Sequence, residues 1–131
     1  MKATFEISRE DFTNIIITAL EGGSNYWYFL DEINFPDGTP ENKHLVEKIA
    51  WSLYNNQDWE GFPVYDVEEV ETLTNLGEPI GKISHASCQK AFELMFRDYG
   101  EALGHIISEE YDAGDADIFF QLACLGDVVY G

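Results

Sequence analysis

The amino-acid sequence predicts an α+β fold: one domain, residues 1–131, with about four helices packed on a small, mostly antiparallel sheet. Three observations lead to this prediction. The chain has 131 residues, 45% of them hydrophobic, which suits one core and not two. Apolar residues recur at helical spacing in four segments. Between the second and third segments the pattern changes to the short runs of a β-hairpin.

The first part of the chain predicts a strand, a helix and an aromatic segment. Residues 3–7 alternate between apolar and polar, as a short strand does. Ser8 begins a helix predicted over 9–21, because acidic residues fill its first turn and a glycine pair can end it. Four adjacent aromatic residues within 25–30 predict a buried strand or a tightly packed turn.

The middle of the chain predicts a second helix, a hairpin and a third helix. The second helix is predicted over 40–55, with Thr39 as its N-cap and a proline in its first turn. The residues between 61 and 84 predict the hairpin, since a turn cluster separates two strand-like runs. Either Ser84 or Ser87 is predicted to cap the third helix.

The last helix is predicted over 116–125, after a loop at 112–115 that ends in an N-cap. Gly100 and Gly104 are expected to loosen the preceding segment, because glycine weakens helices. All these patterns together predict one hydrophobic core. Its predicted members are Phe12, Ile16, Leu20, Trp27, Val46, Ile49, Leu53, Phe92, Phe96, Phe119 and Leu122.

The charge balance excludes several classes of partner. The chain contains seven Lys and Arg residues and 25 Asp and Glu residues, which gives a formal net charge of −18. Direct nucleic-acid binding needs a basic surface, and anionic membranes repel an acidic one, so neither partner is expected. No apolar run reaches the ~20 residues of a membrane span, and no secretory signal is apparent. Cys88 and Cys124 are expected to be reduced thiols in a cytoplasm.

Two acidic runs are the main candidates for function. Helix-start acids on a solvated surface, a cation site and a nucleic-acid-like surface are all compatible with them. The calcium-loop spacing is absent, and the histidines and cysteines lack zinc-ligand spacing, so no metal or cofactor is predicted. The runs comprise Asp66, Glu68, Glu69 and Glu71, then Glu109, Glu110, Asp112, Asp115 and Asp117.

Nucleic-acid mimicry makes a geometric demand on these acids. Duplex DNA carries roughly one charge per 105 Å² of a cylinder about 20 Å wide. Spread over a surface of roughly 7,000 Å², the 25 acidic residues give only about one charge per 280 Å². The acids must therefore gather on about 40% of the surface to match DNA.

The segment from Gly22 to Trp27 has two interpretations. It can be a helix end followed by an aromatic wedge of the core. Alternatively, Ser24, Asn25 and Tyr26 line a small pocket with Trp27 beneath, which suits a planar, nucleotide-like ligand by stacking. A phosphate group would meet an unfavourable field near so acidic a protein.

Two segments carry a family resemblance. Residues 14–28, NIIITALEGGSNYWY, and 115–131, DADIFFQLACLGDVVYG, resemble the opening and closing segments of a group of small, acidic, bacteriophage-encoded proteins. The two matches cover about a quarter of the chain, and the Phe119-Phe120 pair is bulkier than the aliphatic residues expected there. The group has no assigned activity, so no catalytic residue follows. The resemblance implies a phage origin, a host cytoplasm and end helices that pack together.

The sequence therefore predicts a non-enzymatic phage accessory protein that binds a basic host protein, a nucleic-acid-handling or defence factor, as a DNA mimic. The alternative is a small-ligand binding protein that uses the turn with Ser24, Asn25, Tyr26 and Trp27. No catalytic constellation is apparent, and the oligomeric state is not predicted. The candidate partner-binding residues are Asp66, Glu68, Glu69, Glu71, Glu109, Glu110, Asp112 and Asp117.

Overall fold

The computed structural model describes residues 7–72 and 74–131. Within these residues the chain forms five α-helices and a three-stranded antiparallel sheet, which confirms the predicted α+β fold. The predicted strand at 3–7 lies, apart from Ile7, outside the described residues. The helices are α1 (Arg9–Thr18), α2 (Leu45–Asn55), α3 (His85–Asp98), α4 (Gly100–Ile107) and α5 (Ala113–Leu125); the strands are β1 (Tyr28–Phe29), β2 (Phe62–Asp66) and β3 (Gly81–Ile83).

The sheet has the strand order β1-β2-β3, and both pairings are antiparallel. Phe62 lies opposite Ile83 and Val64 lies opposite Gly81, so the predicted hairpin is confirmed. The side chains of Phe62 and Val64 are buried, whereas Pro63 between them is exposed. This alternation is typical of an antiparallel sheet with one face on the core.

Helix α5 is the centre of the fold. Nine of its thirteen residues are buried, and it contacts α1, α3, α4 and β3. Gly81 allows the sheet to approach, because a Cβ there would lie 2.2 Å from the carbonyl oxygen of Cys124. On another side Phe12 of α1 meets Phe119 edge-to-face, with ring centroids 6.1 Å apart. The two end helices thus pack together, as the resemblance implied.

Two helices begin with reciprocal capping boxes. The Ser84 hydroxyl caps α3 by accepting from the Ser87 N–H, and the Ser87 hydroxyl accepts from the Ser84 N–H, so both predicted candidates take part. Helix α5 is capped by Asp112 and not by the predicted Asp115. The Asp115 N–H donates to Asp112 at 2.9 Å, while the Asp115 carboxylate accepts from the Asp112 N–H at 3.1 Å. The last helix is consequently one turn longer than predicted.

Two further predictions of helix position were wrong. Helix α2 begins at Leu45 and not at 40, because the Thr39 hydroxyl and N–H both donate to the Pro36 carbonyl and form a turn. Helix α4 was not predicted, since Gly100 and Gly104 indicated a loosened segment. Its apolar face is buried, and tertiary packing of such a face outweighs weak helix propensity.

The predicted core is largely confirmed, with two exceptions. Phe96 is 51% exposed, because the buried stripe of α3 runs through Phe92 and Met95 and leaves Phe96 at its edge. Val46 is only partly buried. The buried members that were predicted are Phe12, Ile16, Leu20, Trp27, Ile49, Leu53, Phe92, Phe119 and Leu122.

A helix can cross a lipid bilayer only if it is both long and apolar enough. Over residues 7–72 and 74–131, none combines the length and the apolar character that crossing a lipid bilayer requires.

Candidate functional site

A π-helical turn, Ala19–Gly23, extends α1 and brings the following residues against α5. A Cβ on Gly23 would lie 2.5 Å from the Ala113 carbonyl oxygen, so only glycine allows this approach without a shift of the backbone. The Ser24 N–H donates to Ala19, and the Trp27 N–H donates to Ser24. The aromatic segment therefore starts as a tight turn on the first turns of α5.

This turn surrounds the carboxylate of Asp117. Asp117 Oδ1 accepts from the Ser24 hydroxyl at 2.7 Å and from the Trp27 indole N–H at 2.9 Å. Asp117 Oδ2 accepts from the Tyr26 hydroxyl at 2.7 Å and from the Gln121 amide at 3.0 Å. Four donors satisfy this buried charge, which burial would otherwise make very costly.

The prediction that Asp117 belongs to a partner-binding surface is therefore wrong. Asp117 is only 9% exposed, and both its oxygens face donors of its own chain. From sequence alone, an acidic residue in an acid-rich helix start is expected to be solvated. Asp117 instead lies on the face of α5 that the turn covers. Its role is to join the turn to the central helix.

The proposed ligand pocket at the same turn is also contradicted by its geometry. Ser24 is buried and bonded to Asp117, and Trp27 is 2% exposed. The Tyr130 ring stacks on the Trp27 indole, with centroids 5.2 Å apart and planes 10° apart, where a planar ligand would lie. Asn25 and Tyr26 are exposed, and the Tyr26 hydroxyl is already bonded to Asp117 at 2.7 Å.

Gln121 completes this network, and the sequence analysis missed it. Its side-chain oxygen accepts from the N–H groups of Val129 and Tyr130, both at 2.8 Å, which holds the C-terminal segment across Trp27. Partial burial, together with the Asp117 carboxylate, raises the pKa of Tyr26 to about 12. The sequence did contain a signal for this network. A glutamine stands within an otherwise apolar helix, and a buried side-chain amide needs hydrogen-bond partners.

The first acidic patch consists of Asp66, Glu68, Glu69 and Glu71. Asp66 accepts from the Glu68 N–H at 2.9 Å and starts a short 3-10 turn after β2. It also accepts from the Tyr130 hydroxyl at 3.4 Å. The three glutamates are exposed, and Glu71 accepts from Asn75.

The second acidic patch consists of Glu10, Asp11, Glu109, Glu110 and Asp112. It joins the first turn of α1 to the loop between α4 and α5. The approach of the Asp11 carboxyl group to Glu109, and then the charge of Glu10, raise the pKa of Glu109. In contrast, the backbone N–H of Asp115 lowers the pKa of Asp112, the helix cap. No hydrogen bond or ion pair between described residues links this patch to the first.

Glu109 also has an unusual backbone. Its φ is +62°, and it is the non-glycine residue with positive φ in the described part of the chain. The Glu109 N–H donates to Ile106 at 3.2 Å and the Glu110 N–H donates to His105 at 2.8 Å, which together form a Schellman motif. Glycine is the usual residue at that position, and a carboxylate is unfavourable at a helix C-terminus. Glu109 is thus disfavoured by its backbone, by the helix dipole and by neighbouring acids.

We expect Glu109→Gly to stabilise the protein and to raise its Tm by a few degrees, because glycine takes a positive φ without a steric cost. Glu109→Gln keeps the strained backbone and removes only the charge, so it should give a smaller gain that disappears at high salt. Thermal unfolding followed by circular dichroism measures both. A lower Tm for Glu109→Gly would contradict the described backbone.

Lysine and arginine neutralise few of the acids. Among the described residues, they form ion pairs between Lys43 and Glu47 at 3.9 Å and between Arg97 and Asp98 at 2.6 Å. In the same residues, no group of three His, Cys, Asp or Glu side chains could hold a metal ion. Both acidic patches are therefore free of direct cationic partners from the described chain.

The two thiols are buried and unpaired. Burial raises the pKa of both Cys88 and Cys124, which keeps them in the unreactive thiol form. The His85 Nδ1 atom bonds to the Leu53 carbonyl at 2.9 Å. The other imidazole nitrogen, His85 Nε2, is buried without a hydrogen-bond partner among the described residues, so His85 does not activate the nearby Cys88 thiol.

Comparisons of this chain with protein families, with curated proteins and with solved structures gave no match.

Proposed function

We propose that the protein is a non-enzymatic bacteriophage accessory protein that acts in the host cytoplasm. It binds a basic host protein, a nucleic-acid-handling or defence factor, through its two acidic patches. The phage setting rests on the resemblance of residues 14–28 and 115–131. The binding mode rests on the charges and contacts of the described residues.

The net charge of −18 supports a cationic partner. Such a field accelerates encounter with basic proteins and repels anionic ones, including nucleic acid itself. Seven of the eight candidate acids remain available for this role, since only Asp117 is buried. Asp66 is tied to Tyr130 and Asp112 caps α5, so the glutamates carry most of the exposed charge.

The proposal rests mainly on the conformation and surroundings of Glu109. This residue occupies a left-handed backbone position beside Asp11 and Glu10, although a glycine there would stabilise the isolated protein. Strained residues and like-charge clusters persist most often where function uses them. A basic partner would remove the repulsion between these acids on binding. The free energy that this repulsion costs the unbound protein would then add to the affinity of the complex.

The test measures capture of host proteins on the immobilised protein at low ionic strength and at about 1 M salt, where the Debye length is about 3 Å. We expect a basic protein to be captured at low salt, released at high salt and displaced by duplex DNA. Glu68→Gln/Glu69→Gln/Glu71→Gln and Glu109→Gln/Glu110→Gln variants should each weaken the purified complex by about tenfold.

The matched control is Asp31→Asn/Glu32→Gln/Glu41→Gln, which removes three exposed charges outside both patches. It should change affinity by less than about threefold, since it alters only the overall field. Capture that ignores ionic strength, or equal losses in patch and control variants, would overturn the proposal.

A further inference from the structure

We draw no further inference here: the strongest candidate, the buried Nε2 atom of His85 at the start of α3, has no hydrogen-bond partner among the described residues, but nothing in the described part of the chain shows what would bind to it.

Discussion

Asp117→Ala is expected to lower the free energy of unfolding by about 3 to 5 kcal/mol. The change removes the acceptor of four hydrogen bonds and leaves the buried donors of Ser24 and Trp27 without partners, whereas the Gln121 amide keeps its hydrogen bond to the Tyr130 carbonyl at 3.1 Å. A buried donor that loses its acceptor costs about 1 to 3 kcal/mol, and two such donors share this site. Urea denaturation followed by tryptophan fluorescence measures the loss.

Two variants control for this prediction. Ser24→Ala removes one donor and should cost about 1 kcal/mol, because Asp117 keeps its other partners. Asp31→Ala replaces an exposed acid and should change stability by less than about 0.5 kcal/mol. A cost for Asp117→Ala that matched Asp31→Ala would mean that this carboxylate is solvated, as the sequence had indicated.

The neighbouring glycines of the π-helical turn should respond in opposite ways to the same substitution. We expect Gly23→Ala to destabilise the protein by about 1 to 3 kcal/mol, because the added Cβ would lie 2.5 Å from the Ala113 carbonyl oxygen. Gly22→Ala adds the same methyl group where no atom lies within 4 Å. It should be neutral or stabilising by up to about 1 kcal/mol, since alanine lowers the entropy of the unfolded chain.

Comparing Gly23→Ala with Gly22→Ala separates the effect of packing in the folded state from the effect of chain entropy, because both substitutions restrict the unfolded state equally. The free energy of unfolding of each variant, measured in urea, decides the result. Equal effects at the two positions would show that the turn does not pack against α5 as described.

Local patterns predicted the parts of the fold that depend on local interactions. The cap of α3, predicted at Ser84 or Ser87, the hairpin and the apolar stripes of α1, α3 and α5 all follow from residues close in sequence. Helix α4 did not, because its glycines oppose a helix locally and only packing of its apolar face compensates. The start of α2 failed for a similar reason, since Thr39 can cap a helix or close a turn with equal local chemistry.

The candidate sites were less predictable. Asp117 and Glu109 lie in the same acidic run, yet one is buried and the other is exposed on a strained backbone. The partners of Asp117 lie about 90 residues away in sequence, at Ser24 and Trp27. No local pattern signals such a meeting. Asp115 also resembles a helix-start acid in sequence, yet it is buried and bonded to His105 of α4.

The sequence by itself determined the fold class, most of the core and the excess of negative charge, because composition and hydrophobic periodicity act along the chain. Tertiary structure alone decided which acids stay in water and which become buried acceptors. That distinction depends on the donors that distant segments bring to each carboxylate, since a buried charge persists only where such donors surround it.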